Sequence, residues 1–230
     1  MLWKNKFAAE FQWWLRETAE VILPWYLQER LGAWGYALPD AKVVEYPSSW
    51  QNAVATLARL QTTYYPGHLQ IPSTYNCGRL LDIGCGPLLP ARHLRYDELW
   101  VVDPLLECYS HAGFPVQEVG AMLLPMNAED MWVFPAGMFD TIVSVNAMDH
   151  LDNFQSAITE IERLLKPTGL LRLAIHYHAP TNTEPLALTD ELVIASAKEL
   201  KLQRIGGHVD AQGMIMALWS NRNEPVEGSP

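Results

Sequence analysis

Residues 79–90, RLLDIGCGPLLP, carry an apolar run into Gly84 and Gly86, with Cys85 between them and prolines at 87 and 90. Two glycines one residue apart let a backbone turn tightly and approach a ligand closely. Three chemistries suit such a bend: a phosphate cradle, a reactive thiol, or a seat for a thin chain ending in a carboxylate. A dinucleotide fingerprint needs a third glycine where Leu89 stands, so pyrophosphate, and with it NAD, is disfavoured. A thiol at a helix start can be acidified. Space between two glycines is scarce, however, and packing is the expected role of Cys85.

Further polar residues follow at intervals: Asp103 closing LWVVD, Asn127 in MNAEDM, Asp149, His150 and Asp152 in NAMDHLDN, and the pair His176 and His178 in IHYH. An acid in the place of Asp103 can accept from both ribose hydroxyls of an adenosine. His150, titrating near neutral pH, is a candidate general base. Asp149 and Asp152 orient it or cap the helix that begins near Asn153, and capping is the expectation for Asp152. His176 and His178 are two apart in an extended chain and share a side, where one can face a substrate. A metal would need a further ligand, which the adjacent sequence does not offer, so none is expected. Thr181 to Pro185 reads as a connecting loop, one that could fold over a cleft.

The elements that must position these residues are legible from the apolar patterning. Continuous apolar runs at 80–84, 99–103, 139–145 and 170–175 read as buried strands, and 153–166 as a helix closed by Pro167-Thr168-Gly169. Such strands alternating with helices imply a doubly wound parallel sheet, covered on both faces, with ligands at the carboxyl ends of its strands. Pro90 would delete a hydrogen bond inside a helix and costs nothing at its first position, so a short helix is expected to start there, leaving a wide loop at 84–89. Its N-terminal N–H groups would be available to an anion. A helix at 191–202 precedes strands at 203–209 and 213–220, whose short connection requires antiparallel pairing.

Upstream, Trp3, Phe7, Phe11 and Leu15 recur four apart on one helical stripe that breaks near Pro24, and a second helix is expected at 49–60. The expected division is a helical cap at 1–76, a core at 77–222 and a frayed tail at 223–230. Trp13 lies off the main stripe beside Trp14, and both are candidates for an aromatic wall over the cleft.

Composition narrows the function classes. The chain has 230 residues, with 16 lysines and arginines against 26 aspartates and glutamates, a net charge of −10. That balance argues against a surface that neutralises nucleic-acid phosphates or anionic lipid. The three cysteines, odd in number and without CxxC spacing, suggest neither a disulfide framework nor structural zinc and fit a reducing cytoplasm. No apolar run reaches the ~20 residues of a membrane span, and the charged N-terminus does not read as a secretory leader. A soluble monomer or homodimer is expected.

In order and spacing, RLLDIGCG, VVDP, NAED, FDTIVSVNAMDHLDN and ERLLKPTGLLRLAI resemble the class I S-adenosylmethionine-dependent methyltransferases. The resemblance implies a Rossmann-like, mostly parallel seven-stranded sheet with an antiparallel last strand and an N-terminal helical lid. It implies that Asp82, Gly84, Cys85 and Gly86 receive the methionine end of S-adenosylmethionine. Asp103 would then hold the ribose beside Pro104. Asn127, the backbone of Ala128 and their neighbour Glu129 would read the adenine, and Asn146 would approach the amino-acid part. Two positions depart from the family pattern: Leu88 stands where many members have glycine, and Asn127 where many have aspartate. The implied activity is methyl transfer to a small-molecule acceptor enclosed by Trp13, Trp14, His176 and His178, on oxygen, with His150 as base and no metal. Nitrogen and carbon acceptors remain open alternatives, as does a fold that has kept binding and lost turnover.

Overall fold

The computed structural model describes residues 8–9, 69–111, 114, 116, 120–181, 183–209 and 215–221. Seven strands form one sheet: β1 (Arg79–Ile83), β2 (Glu98–Val102), β3 (Met122–Leu124), β4 (Phe139–Val145), β5 (Leu165–Tyr177), β6 (Gln203–Val209) and β7 (Ile215–Ser220), in the order β3-β2-β1-β4-β5-β7-β6. β1 pairs in parallel with β2 and β4, β2 with β3 and β4 with β5, whereas β7 runs antiparallel to both β5 and β6. Among the described residues the α-helices α1 (Leu106–His111), α2 (Phe154–Leu164) and α3 (Asp190–Ser196) accompany them. None among the described residues is long and apolar enough to cross a membrane.

The strand order turns back between β1 and β4, and that reversal opens a crevice beyond their carboxyl ends. Both faces of the sheet are covered, which explains why the central strands are apolar without alternation: in β4 six of seven residues are buried. Leu80, Val143, Leu170 and Ala174 join one cluster with Leu106 and Tyr109 of α1. Leu81, Ile142, Leu171 and Leu173 join the other with Phe154, Ile158 and Ile161 of α2. α2 buries Phe154, Ala157, Ile158, Ile161 and Leu164, the 3-and-4 spacing of a single helical face.

Several boundaries differ from the sequence expectation. The cap of α2 is Asn153, whose side chain accepts from the Ser156 N–H at 3.1 Å, and not Asp152. The Asp152 and Asn153 N–H groups both donate to Glu129 Oε1, at 2.9 and 3.2 Å, so Glu129 ties down the loop entering α2. Strand β5 begins at Leu165 and runs through Pro167-Thr168-Gly169. The register shifts between Phe139 and Thr141, and proline, which has no N–H to give, sits in the irregular part of the ladder. α3 stops at Ser196, earlier than the expected 202, and the chain turns into β6 through Lys201 in the left-handed region, φ 52°.

A helix does start at Pro90, but it is a four-residue 3-10 turn, Pro90–His93, preceded by another at Gly86–Leu88. Leu89 joins the two with φ 42°, so the bend falls one residue beyond Leu88, where the family pattern has glycine. A turn this short presents no helix terminus to an anion, which removes that part of the expectation. The proposed cap at 1–76, including Trp13 and Trp14, lies outside the described residues except for 8–9 and 69–76, as do the helix at 49–60 and the tail at 223–230.

Candidate functional site

The crevice is built first by β1. Its last residues are buried, Asp82 completely, and Gly84 extends the ladder by donating its N–H to the Val102 carbonyl at 2.8 Å. Gly84 has φ +69°, and a Cβ added there would lie 2.3 Å from the Ala147 Cβ. A hydrogen side chain is therefore what lets the loops after β1 and β4 touch. Gly86, φ +59°, donates its N–H to Asp103 Oδ2 at 2.9 Å.

Cys85 is 4% exposed, and its thiol donates to the Gly86 carbonyl at 3.0 Å. Burial, followed by the charges of Asp103 and Asp82, pushes this thiol well above its ordinary range. Burial likewise pushes Cys77 up to about 12. Both are neutral thiols at physiological pH and poor nucleophiles. Native protein treated with iodoacetamide at pH 8 should therefore carry label at half-buried Cys108 first, with Cys77 and Cys85 protected until denaturant is added; peptide mass spectrometry reads this, and early labelling of Cys85 would contradict it.

At the end of β2, Asp103 is 5% exposed and held in a fixed orientation. Oδ2 accepts from Gly86 and Oδ1 from the Leu105 N–H at 2.8 Å. Each carboxylate oxygen retains acceptor capacity beyond one such bond. Beside it a cleft lies between Pro104 and the chain leaving β3, with Met126 and Asn127 on the opposite wall and exposed Trp132 at the rim. Ala128 is buried against the core behind Asn127.

Strand β4 supplies the other wall. Asn146 donates its N–H to the Ala174 carbonyl at 2.8 Å, adopts φ 51°, and has a buried side-chain Oδ1 with no partner among the described residues. The 3-10 turn Met148–His150 follows, closed by the His150 N–H on the Ala147 carbonyl at 3.2 Å. It points Asp149 inward, with no exposed surface, while the His150 side chain keeps 19%.

Because β5 lies beside β4, its end meets that turn. His176 and Tyr177 belong to β5 itself, and His178 is the first residue beyond it. The rings of His176 and His178 stand 5.5 Å apart between centroids, as period-two neighbours should. His178 Nε2 lies 3.0 Å from Asp149 Oδ2 and Nδ1 lies 2.7 Å from the Ala179 carbonyl. The hydrogen bond to Asp149, opposed by burial and helped by Ala179 and Glu184, holds this imidazole up at about 9. It is charged at neutral pH and takes no further proton. Tyr177 lies on the other face, between Asp190 and Trp219, in a structural network.

One residue of this group has no counterpart among the sequence candidates. The loop 181–184 folds on itself: Thr181 Oγ1 accepts from the Glu184 N–H and donates to Glu184 Oε2, both at 3.0 Å. That turn aims Glu184 at two imidazoles, 3.7 Å from His150 Nε2 and 3.8 Å from His178 Nε2. The threonine two and three residues ahead of a backbone N–H is a recognisable turn signal, but it carries no information about the partner across the cleft.

Residues 81–173 match the family described as a methyltransferase domain. Solved structures share the fold. A complex between the Haloferax volcanii Trm112 methyltransferase activator and a methyltransferase has 12% identity and TM-score 0.56, over 73% of this chain and 93% of that one. An S-adenosylmethionine-dependent methyltransferase from Mesorhizobium loti has 11% identity and TM-score 0.53, over 68% and 96%. An arsenic(III) S-adenosylmethionine methyltransferase from Chlamydomonas reinhardtii has 15% identity and TM-score 0.51, over 71% and 72%. No curated protein matches the chain significantly.

Proposed function

We propose that this protein is a class I S-adenosylmethionine-dependent methyltransferase that methylates a small molecule on oxygen, with His150 as the base; the match of residues 81–173 to the methyltransferase-domain family supports the reading. S-adenosylmethionine is the cofactor of the family. The residues present fit it: a glycine bend whose Cβ space is filled by Ala147, a fixed buried acid at the end of β2, a cleft beside Pro104, and a buried Asn146 oxygen with no partner among the described residues.

In this reading Gly84, Cys85 and Gly86 leave room for the amino-acid end through their backbone, with Asp82 beneath them. Asp103 accepts from the ribose hydroxyls, and Pro104 lies against the adenine. Asn127 accepts from the adenine amine, and the backbone of Ala128 donates to the ring. Glu129 acts indirectly, by fixing the loop that enters α2. Asn146 faces the amino-acid part. When bound, the cofactor supplies a sulfonium methyl that passes in line to a nucleophile while sulfur keeps the bonding electrons.

The protein's remaining task is to place the acceptor and remove its proton. The observation that carries the assignment is the contact between the loops after β1 and β4. Gly84 lies against Ala147, whose carbonyl accepts from the His150 N–H at 3.2 Å, and this proximity supports a position for His150 beside the acceptor. Glu184 Oε1, 3.7 Å from His150 Nε2, is placed to stabilise the imidazolium that forms when the base takes a proton. His178, already charged, cannot serve. The acidic net charge favours a small acceptor over a nucleic acid, and the three free cysteines suit the cytoplasm.

His150→Ala should lower kcat by about 100-fold or more, the ordinary contribution of a positioned base, with cofactor affinity unchanged. Intact turnover on the true acceptor would remove His150 from that role. The acceptor itself is found by incubating the protein with metabolite extracts and methyl-labelled cofactor, then identifying labelled products by mass spectrometry. Label in a small molecule is the expected result; label confined to protein or RNA would overturn the substrate class.

A further inference from the structure

The side chains at the β4 and β5 edge include more ligand atoms than proton transfer requires. One ligand atom from each of Asp149, His176 and His178 lies within 4.8 Å of the others, and a second trio, Asp149, His150 and Glu184, satisfies the same limit. A tetrahedral ion with bonds of about 2.0–2.2 Å holds its ligand atoms about 3.3–3.6 Å apart, so the more widely spaced atoms must draw together by roughly 1 Å to close the site. Sequence alone set a metal aside because nothing near His176 and His178 offered a third ligand. The fold supplies it from 27 positions away.

We propose that Asp149, His176 and His178 bind a divalent first-row transition ion of the zinc class, and that this ion receives an oxygen of the acceptor. The donor set, two imidazoles and a carboxylate, suits such ions and is poor for calcium or magnesium. The use of the ion rests on the methyltransferase reading above; the site itself does not.

Two independent observations support it. Asp149 is wholly buried, and its Oδ1 has no hydrogen-bond partner among the described residues. A buried carboxylate oxygen left unmatched is costly, and a cation beside it would remove that cost. The second is the orientation of His178. Its Nδ1 is anchored on the Ala179 carbonyl at 2.7 Å, the outer hydrogen bond that metal-ligating histidines characteristically make, and Nε2 is thereby aimed at Asp149. On ion binding the Nε2 proton leaves to solvent, and the metal takes its place between the ring and the carboxylate.

Three protein ligands leave positions open on the ion, the arrangement of catalytic rather than structural sites. An acceptor hydroxyl bound there is polarised and gives up its proton more easily, and His150, on the same turn as Asp149, is placed to take it. The acceptor class is therefore a molecule whose hydroxyl can reach a metal.

The protein, stripped with EDTA and dialysed, is titrated with Zn²⁺ and with Co²⁺ as a visible-absorbing substitute, while S-adenosylmethionine binding is followed calorimetrically on the same samples. The expected result is one zinc per chain and a cobalt spectrum that zinc displaces. Asp149→Asn and His176→Ala should each weaken zinc binding by about 100-fold, with cofactor binding retained. Should Asp149→Asn fail to fold, His176→Ala carries the test. Cofactor binding without any zinc or cobalt binding overturns the site and leaves the methyltransferase reading standing, as does full zinc affinity in His176→Ala. Zinc binding without cofactor binding supports the site and overturns the use assigned to it.

Discussion

Replacing Gly84 with alanine should abolish high-affinity cofactor binding and lower the melting temperature. The new methyl would meet the Ala147 Cβ at 2.3 Å, in a residue held at φ +69°. The left-handed backbone alone costs an L-residue about 1–2 kcal/mol, and overpacking typically adds about 1–3, so a total loss of roughly 2–5 kcal/mol is expected. The Ala147 neighbour is backbone-attached carbon with no freedom to swing away. Either the β1 loop or the β4 loop must move, and a displacement near 1 Å at a binding loop is worth roughly 100-fold in function. Ala147→Gly supplies the control. It removes the collision and leaves the left-handed strain, so the double variant should recover about half of the lost stability by the same arithmetic. Calorimetry and thermal denaturation read both. A Gly84→Ala protein with wild-type stability and affinity would mean that the two loops do not meet as described.

Asp103→Ala should weaken cofactor binding by about 100-fold or more. Two charge-assisted hydrogen bonds to ribose hydroxyls are worth roughly 1.5–3 kcal/mol each, and about 2.7 kcal/mol already corresponds to that factor. The same carboxylate holds the Gly86 and Leu105 N–H groups at 2.9 and 2.8 Å, so removing it also leaves two buried donors unmatched. Stability should therefore fall by roughly 1–3 kcal/mol for each donor that water cannot reach. Asp103→Asn separates the two roles. Its single carbonyl oxygen can serve one N–H and one hydroxyl, so a loss nearer 10-fold, with a smaller drop in melting temperature, is expected. An unaltered dissociation constant in Asp103→Ala would show that the ribose lies elsewhere.

The parts of this molecule that are legible in sequence are those where one physical cause dominates. Strands β1, β2, β4 and β5 are buried on both faces, and continuous apolar runs between polar loops announce them. The hairpin of β6 and β7 follows from a connection too short for a crossover. Strand β3 has only three residues, Met122–Leu124, with none of its own buried, and α1 has six, so neither builds a period long enough to recognise. Pro90 was informative about where a turn begins, because proline has no N–H to lose, but not about its kind; the short distance to β2 leaves room for a 3-10 turn rather than an α-helix.

The site divides the same way. Gly84, Asp103 and Asn146 occupy strand ends, and their places follow once the strands are known. The grouping of Asp149, His176, His178 and Glu184 does not follow, although three of the four stand out individually. Their proximity is created by the lateral pairing of β4 with β5, in which Val145 opposes Ala174, and by the Thr181 turn that folds Glu184 back. Sequence spacing says which side of a strand a histidine takes; it does not say which carboxylate the neighbouring strand will deliver.

The central claim is a crevice between β1 and β4 built to hold S-adenosylmethionine, and titration calorimetry with that cofactor and with its demethylated product tests it most directly. Saturable binding of both at micromolar concentrations, one per chain and weakened by Asp103→Ala, is the predicted result. Absence of heat and of any thermal stabilisation with either ligand, in protein that melts cooperatively, would contradict it.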